Sequence, residues 1–311
     1  MHKKIAAVFL AAVMGIALCS CGSGTSTAMK IGNTDIPSDI FTYYLDTEMT
    51  GTKNSSSKCI KAAQKDCIEY AKINHRFSEM KLSLTASQKS ALASEVNDRW
   101  DVFCNYYKKI GVSKQTLTKV YESAAYKATI LDAIYGENGT AAVSEDTLRS
   151  YFTSDYVFFK AISEYIPKTT GKDELAALNT KFAALKSEID GGKTIDTVNQ
   201  EYAAANGGTA DAQMPVTILE KSDTSSYPDG FFDDMTQLGA GDVSVLTFDR
   251  YIFLVQRTDQ TDSFGDYREA CLEAVTADDF ADRIAGWYKN STAEYKTKTE
   301  QKCFELIENN R

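Results

Sequence analysis

Histidine is nearly absent from this chain: 311 residues contain His2 and His75 alone. A single imidazole with no Ser, Cys or acidic constellation beside it makes no nucleophilic triad, so His75 reads as a helix-surface or capped residue. Basic residues are also in short supply, with 34 Lys and Arg against 43 Asp and Glu and a formal net charge of −9. A phosphate-binding surface needs a concentrated basic face. None is visible, which excludes nucleic acid as a partner. GxxxxGK[ST], GxSxG and HExxH are all missing, and with them the phosphate loop, the nucleophile elbow and the zinc-protease helix. Gly207-Gly208 and Gly239-Ala240-Gly241 lack a strand-Gly-helix setting and read as turns. Asp233-Asp234 and Asp278-Asp279 fall on helical segments without the loop spacing of a calcium hand. No metal or cofactor is expected. Cys59, Cys67, Cys104, Cys271 and Cys303 are scattered and form no CxxC or Cys/His pattern. Cys59 and Cys67 share one predicted helix about 12 Å apart along its axis, too far to be bridged. Most of these five read as buried helix thiols rather than a disulfide framework.

Long apolar runs are missing too, with one partial exception. His2, Lys3 and Lys4 precede an apolar stretch, Ile5 to Ala17, that falls short of the about 20 residues of a membrane-spanning helix. A removable export signal has this form. It ends in Leu18-Cys19-Ser20-Cys21-Gly22, which resembles the lipobox of bacterial lipoproteins: a branched apolar residue three before a cysteine and a small residue just before it. The resemblance implies that residues 1–20 are a signal peptide and that Cys21 becomes the lipidated N-terminus, its thiol supplying the sulfur nucleophile for thioether formation. Residues 21–28 follow as a flexible Gly/Ser/Thr tether. Two or more acyl chains hold a soluble domain firmly. The expected location is therefore extracytoplasmic, on the outer face of the cell membrane, or periplasmic if an outer membrane is present.

Beyond the tether the periodicity predicts a mostly helical α+β chain. Met29 to Pro37 carries two apolar stretches around Gly32-Asn33, a hairpin signal. Ser38 is read as the cap of a helix with Ile40, Phe41, Tyr44 and Leu45 on one face. A longer helix is predicted from about Lys58 to Leu82. Thr85-Ala-Ser-Gln88 is a capping-box pattern that opens a third, with Leu92, Val96, Trp100, Phe103 and Tyr107 inward, stopped by Gly111. Ser113 opens a fourth. Ser144 caps a short helix to Phe152, and Tyr156 to Ile166, dense in β-branched and aromatic residues, reads as a strand. Lys172 to Asp190 is an amphipathic helix ended by Gly191-Gly192. Met214–Leu219 reads as a strand, Gly230–Leu238 as a short helix, and Val245–Phe248 with Ile252–Arg257 as a closing strand pair. Helical spacing returns from Tyr267, with Leu272, Val275, Phe280, Ile284, Trp287, Phe304 and Ile307. These last helices have no block of their own, so they are expected to pack on the N-terminal one, making the mixed segment an insertion.

This arrangement resembles the extracytoplasmic foldases of the PrsA/SurA type, whose insert is a parvulin peptidyl-prolyl isomerase domain. Met29–Leu45 is similar to the hairpin and first helix of that family's chaperone domain. Val143–Phe152 followed by Tyr156-Val157 is similar to its entry into the parvulin domain. Gly192–Tyr202 and Phe231–Ser244 are similar to the parvulin helix pair and to its later helix and Gly-acidic-Val-Ser turn. The resemblance implies a helical chaperone-like domain from residues 29–142 and the helices of 261–311, a parvulin-like α+β domain over 143–260, and unfolded or partly folded exported polypeptides as partners. It also exposes a departure. Parvulin sites carry one histidine on the first strand and one on the last, and those positions fall here near Ala161 and Phe253. Rotating an X-Pro bond means crossing about 18–20 kcal/mol of amide resonance, lowered by hydrogen-bonding the twisted amide in a desolvated pocket. Without the imidazoles the polar half of that pocket is missing. Tyr227, Phe231, Phe232 and Phe253 are the candidate peptide-binding wall, and each also reads as ordinary core. The reading is a chaperone or holdase with poor catalysis, its acidic surface keeping an apolar groove soluble. The alternatives are an active isomerase and a surface scaffold or adhesin without a folding role.

Replacing Cys21 by Ala is predicted to abolish acylation. Fatty-acid labelling of the chain expressed in a lipoprotein-processing bacterium should fall to background, and label retained by the variant would place the lipid elsewhere.

Overall fold

The structure is a computed structural model that describes residues 26–51, 55–289 and 291–311. The expected signal peptide, Cys21 and all but the end of the tether lie outside the described residues. In chain order the elements are β1 (Thr27–Ile31), β2 (Thr34–Pro37), α1 (Ser38–Met49), α2 (Ser56–Glu79), α3 (Ala86–Lys109), α4 (Lys114–Tyr135) and α5 (Glu145–Asp155). Then come β3 (Tyr156–Tyr165), α6 (Lys172–Asp190), α7 (Ile195–Ala205), β4 (Thr217–Glu220), α8 (Phe231–Thr236), β5 (Val243–Thr247) and β6 (Tyr251–Arg257). The chain closes with α9 (Phe264–Gly286), β7 (Ala293–Tyr295) and α10 (Thr297–Glu308). Two compact units result: residues up to Ile130 with Arg283–Arg311, and Leu131–Asp282.

In the first unit β1 and β2 form the hairpin, with Met29 opposite Ile36 and Ile31 opposite Thr34. Gly32 turns the chain at φ +57°, a conformation that costs a residue with a Cβ. The sequence carries no legible sign of β7, which adds to the other edge of β1 with Met29 opposite Tyr295. Met29, Ile31 and Ile36 face a core shared with Phe41 and Leu45 of α1, Cys67 and Ala71 of α2, Leu117 of α4 and Ile307 of α10. The Thr85 capping box is formed: the Gln88 N–H donates to Thr85 Oγ1 at 3.2 Å, and the Thr85 N–H donates to Gln88 Oε1 at 2.9 Å. Such a cap satisfies two N–H groups that the helix leaves open. Gly111, at φ +75°, follows the end of α3. At the far end of the chain Arg311 donates to the Met49 carbonyl at 2.6 Å, an acceptor in the last turn of α1, and to the Asp46 carbonyl at 2.8 Å, which also accepts from the Thr50 N–H and hydroxyl.

Several local readings need correction. The N-cap of α1 is Pro37, with Ser38 its first helical residue; the Ser38 carbonyl accepts from the Thr42 hydroxyl at 2.7 Å. The second helix starts and ends a few residues early, at Ser56 and Glu79. Phe103 and Val275 sit at the margins of their apolar stripes and are exposed. The two compact units divide after Ile130 and after Asp282. Both α4 and α9 are continuous helices whose facing ends belong to the second unit. There the Tyr135 hydroxyl donates to Asp279 Oδ2 at 2.5 Å, and its ring meets Phe280 edge-on at 6.0 Å. The part of α9 up to Asp282 belongs to the second unit, and the segment from Arg283 onward to the first.

The second unit is built on one antiparallel sheet in the order β4-β3-β6-β5. Alternation along the strands gives it two apolar faces. Ile162, Ile252 and Leu254 pack with Phe182 of α6 and Ile195 and Val198 of α7. Val157, Phe159, Phe253 and Val255 pack with Phe231, Phe232 and Met235 of α8. The five cysteines carry no disulfide: Cys59, Cys67, Cys271 and Cys303 are buried and Cys104 is half-buried. Among the described residues no helix is long and apolar enough to cross a membrane.

Asp66 on α2 offers a pH test of the first unit. Burial, and then the like charges of Glu48 and Glu69, push its carboxyl from 3.8 up to about 6. A raised acid binds its proton more tightly folded than unfolded, so its contribution to stability is full at low pH and is lost as pH rises from 3.8 to about 6. Asp66→Asn is expected to raise the urea midpoint at neutral pH and to leave it unchanged below pH 3.8. Equal shifts at both would refute the linkage.

Candidate functional site

The site starts from the pairing of the first and last strands of the second unit. β3 and β6 are adjacent at the centre of the sheet, in register from Phe159 opposite Arg257 to Tyr165 opposite Tyr251. Within that ladder Ala161 stands opposite Val255 and Ser163 opposite Phe253. The two positions where the foldase resemblance calls for imidazoles, Ala161 and Phe253, therefore share one face one diagonal step apart. It is the same face that α8 covers.

All four expected wall residues belong to the cluster on this face. Gly230, in the left-handed region at φ +82°, turns the chain into α8 and sets Phe231 and Phe232 toward the sheet. The Phe231 ring lies 4.9 Å from that of Phe253 and 4.7 Å, stacked, from that of Tyr227. Phe231, Phe232 and Phe253 are buried and Tyr227 is half-buried. Three of the four are thus mainly core, while Tyr227 is the one of the set with substantial access to solvent. Burial alone raises the Tyr227 hydroxyl, keeping it a neutral donor and acceptor. Ser163, exposed across from Phe253, adds a second hydroxyl. His75 is not part of this face. It lies in the first unit on α2, its Nδ1 3.5 Å from Glu79 Oε1 and its ring against Tyr288 at 4.3 Å. Beside its aromatic rings this face thus carries the Tyr227 and Ser163 hydroxyls. Among the described residues no group of three or more His, Cys, Asp and Glu could hold a metal ion.

Sequence reasoning missed the accessible end of the aromatic array. Tyr165 and Tyr251, directly opposed, meet edge-on at 5.3 Å and are 51% and 39% exposed. Tyr251 continues to Phe253 at 5.9 Å, so rings run from solvent to the buried Phe231. The Arg250 guanidinium lies over the Tyr165 ring at 4.7 Å and donates to its hydroxyl. The period-two alternation of Phe159, Ala161, Ser163 and Tyr165 carried the signal, but only the strand register shows that Tyr251 stands beside Tyr165.

Phe231→Ala is expected to cost about 3–5 kcal/mol of stability, as large core aromatics do. Tyr251→Ala should cost far less because its ring is already partly solvated. Urea unfolding followed by circular dichroism measures both, and equal losses would show that the array is core throughout.

No protein-family model matches the chain, and no curated protein matches it. Among solved structures it is similar to the foldase protein PrsA of Lactococcus lactis, at 13% identity and a TM-score of 0.39, covering 91% of this chain and 99% of that one. It is similar to the foldase protein PrsA of Streptococcus pneumoniae at 12% identity and a TM-score of 0.36, covering 79% and 86%. A third similar structure is from a study of two SurA-like chaperones of Campylobacter jejuni, at 14% identity and a TM-score of 0.32, covering 87% and 98%.

Proposed function

We propose that this chain is an extracytoplasmic folding factor, held at a membrane by a lipid on Cys21, that shields exported polypeptides from aggregation. Its second unit is read as a parvulin-like domain that has lost efficient isomerase chemistry, and its first unit as the chaperone-like part. The observation that supports this best is the central β3–β6 pair. It carries Ala161 and Phe253 on one face, where an isomerase of the family it resembles would carry imidazoles.

The energetics follow from that face. An X-Pro bond crosses its barrier fast only if the twisted amide finds charge-complementary donors in a dry pocket. Phe253 fills such a position with apolar surface, so the developing charge gains nothing there. Holding a client asks less: a partly exposed aromatic strip offers contact area at low entropic cost, and large exposed apolar patches are typical of interaction sites. Tyr165, Tyr251 and Tyr227 provide that strip, and the acidic excess of the chain keeps it from driving self-association.

The chain from Ala28 onward is expected to give little acceleration in a coupled proline-isomerisation assay and clear protection of a heat-aggregating client in light scattering. The double change Tyr165→Ala and Tyr251→Ala should reduce that protection without lowering the unfolding midpoint much. Robust isomerase turnover would support an active enzyme instead, and absence of both activities a scaffold or adhesin.

A further inference from the structure

A second site lies in the same unit, away from the aromatic face. Arg257, at the end of β6, is 8% exposed. One guanidinium nitrogen, Nη2, donates to Gln260 Oε1 at 2.6 Å and to the Tyr156 carbonyl at 3.4 Å. The other, Nη1, is buried without a hydrogen-bond partner. No carboxylate among the described residues stands within ion-pair distance of it. Desolvation accordingly lowers its affinity for its proton, with no opposing charge to restore it. A buried cation left in this condition is costly unless an anion completes it. The adjacent Thr258 hydroxyl is also buried and unpartnered.

Both residues line one cavity of about 410 Å³. Arg149 stands on its wall as a second cation, stacked 4.2 Å over the Phe264 ring. Asp259 lines it as well, but its carboxylate is occupied by the Thr261 N–H and hydroxyl at 2.9 and 2.7 Å. The rest of the wall is partly apolar, through Phe152, Leu238 and Phe264. The cavity thus joins an uncompensated guanidinium, an open hydroxyl donor and a hydrophobic lining.

We infer that this cavity binds a carboxylate attached to an apolar group, with the carboxylate engaging Arg257 and Thr258. The planar guanidinium suits a two-oxygen anion, and the apolar wall sets it apart from a site for a bare inorganic ion. Two sources share this chemistry, the free C-terminus of a polypeptide and a small amphiphilic acid. The inference stands whether or not the chain is a folding factor.

Isothermal titration of the full chain in mild detergent tests it with four probes: N-acetyl-leucine, N-acetyl-leucinamide, a tetrapeptide ending in leucine with a free carboxylate, and inorganic phosphate. The two acids should bind at least about tenfold more tightly than the amide, the scale of a lost charged hydrogen bond. Arg257→Met should abolish this binding, and the near-isosteric Thr258→Val, checked for its fold by circular dichroism, should weaken it about tenfold. Tighter binding of the tetrapeptide than of N-acetyl-leucine supports the site with a chain terminus as ligand, and equal binding supports it with a small acid. Equal affinity for acid and amide, no binding by either acid, phosphate binding more tightly than both acids, or an unchanged Thr258→Val affinity would each overturn the assignment.

Discussion

The antiparallel pairing of β3 with β6 is the constraint on which the second unit depends. A strand shows alternate side chains to opposite faces, so a slip of one residue would exchange every inward side chain with its neighbour. In the observed register Ile162 and Leu254 meet on one face and Val157, Phe159, Phe253 and Val255 on the other. Each face then has its own cover, α6 with α7 on one and α8 on the other. The aromatic array, the shared face of positions 161 and 253, and the placement of Arg257 at the end of the ladder all follow from this one registration.

The first unit relies on a different long-range device. β7 completes a three-stranded sheet on β1, and α10 lays Cys303 and Ile307 into the core that the N-terminal hairpin starts. The closure includes polar groups that must be satisfied. Glu300, 1% exposed, accepts two hydrogen bonds from Gln64 Nε2 at 3.0 and 3.1 Å, and burial raises its carboxyl despite them. Because the last segment of the chain is part of the first core, the second unit is necessarily an interruption of the first. Chain order alone then accounts for helices α4 and α9 crossing the boundary.

The two candidate sites differ in what they ask of a ligand. The β3–β6 face is ring surface with isolated hydroxyls, suited to contact area rather than to stabilising charge. The cavity at Arg257 is the reverse, a fixed and uncompensated charge in partly apolar walls. A single unit therefore carries both a partly exposed aromatic surface and a cavity lined by a buried guanidinium with an unpartnered nitrogen.

Where local chemistry decides, residue order sufficed. The hairpin at Gly32-Asn33, the capping box at Thr85 and Gln88, the cap at Ser144 and the stop at Gly111 depend on groups within four residues of one another, and each lies where its pattern placed it. The identity of the residues at 161 and 253 was legible as well, since it is a matter of residue order alone. What only the tertiary structure decided involves partners far apart in the chain. Three residues of β7 carry no periodicity, and their pairing is defined by β1. The burial of Phe231 and the exposure of Tyr165 and Tyr251 depend on which strand and helix lie across from them. The orphaned nitrogen of Arg257 is visible only as a missing neighbour, because an arginine in a sequence gives no sign of whether a carboxylate will fold up beside it.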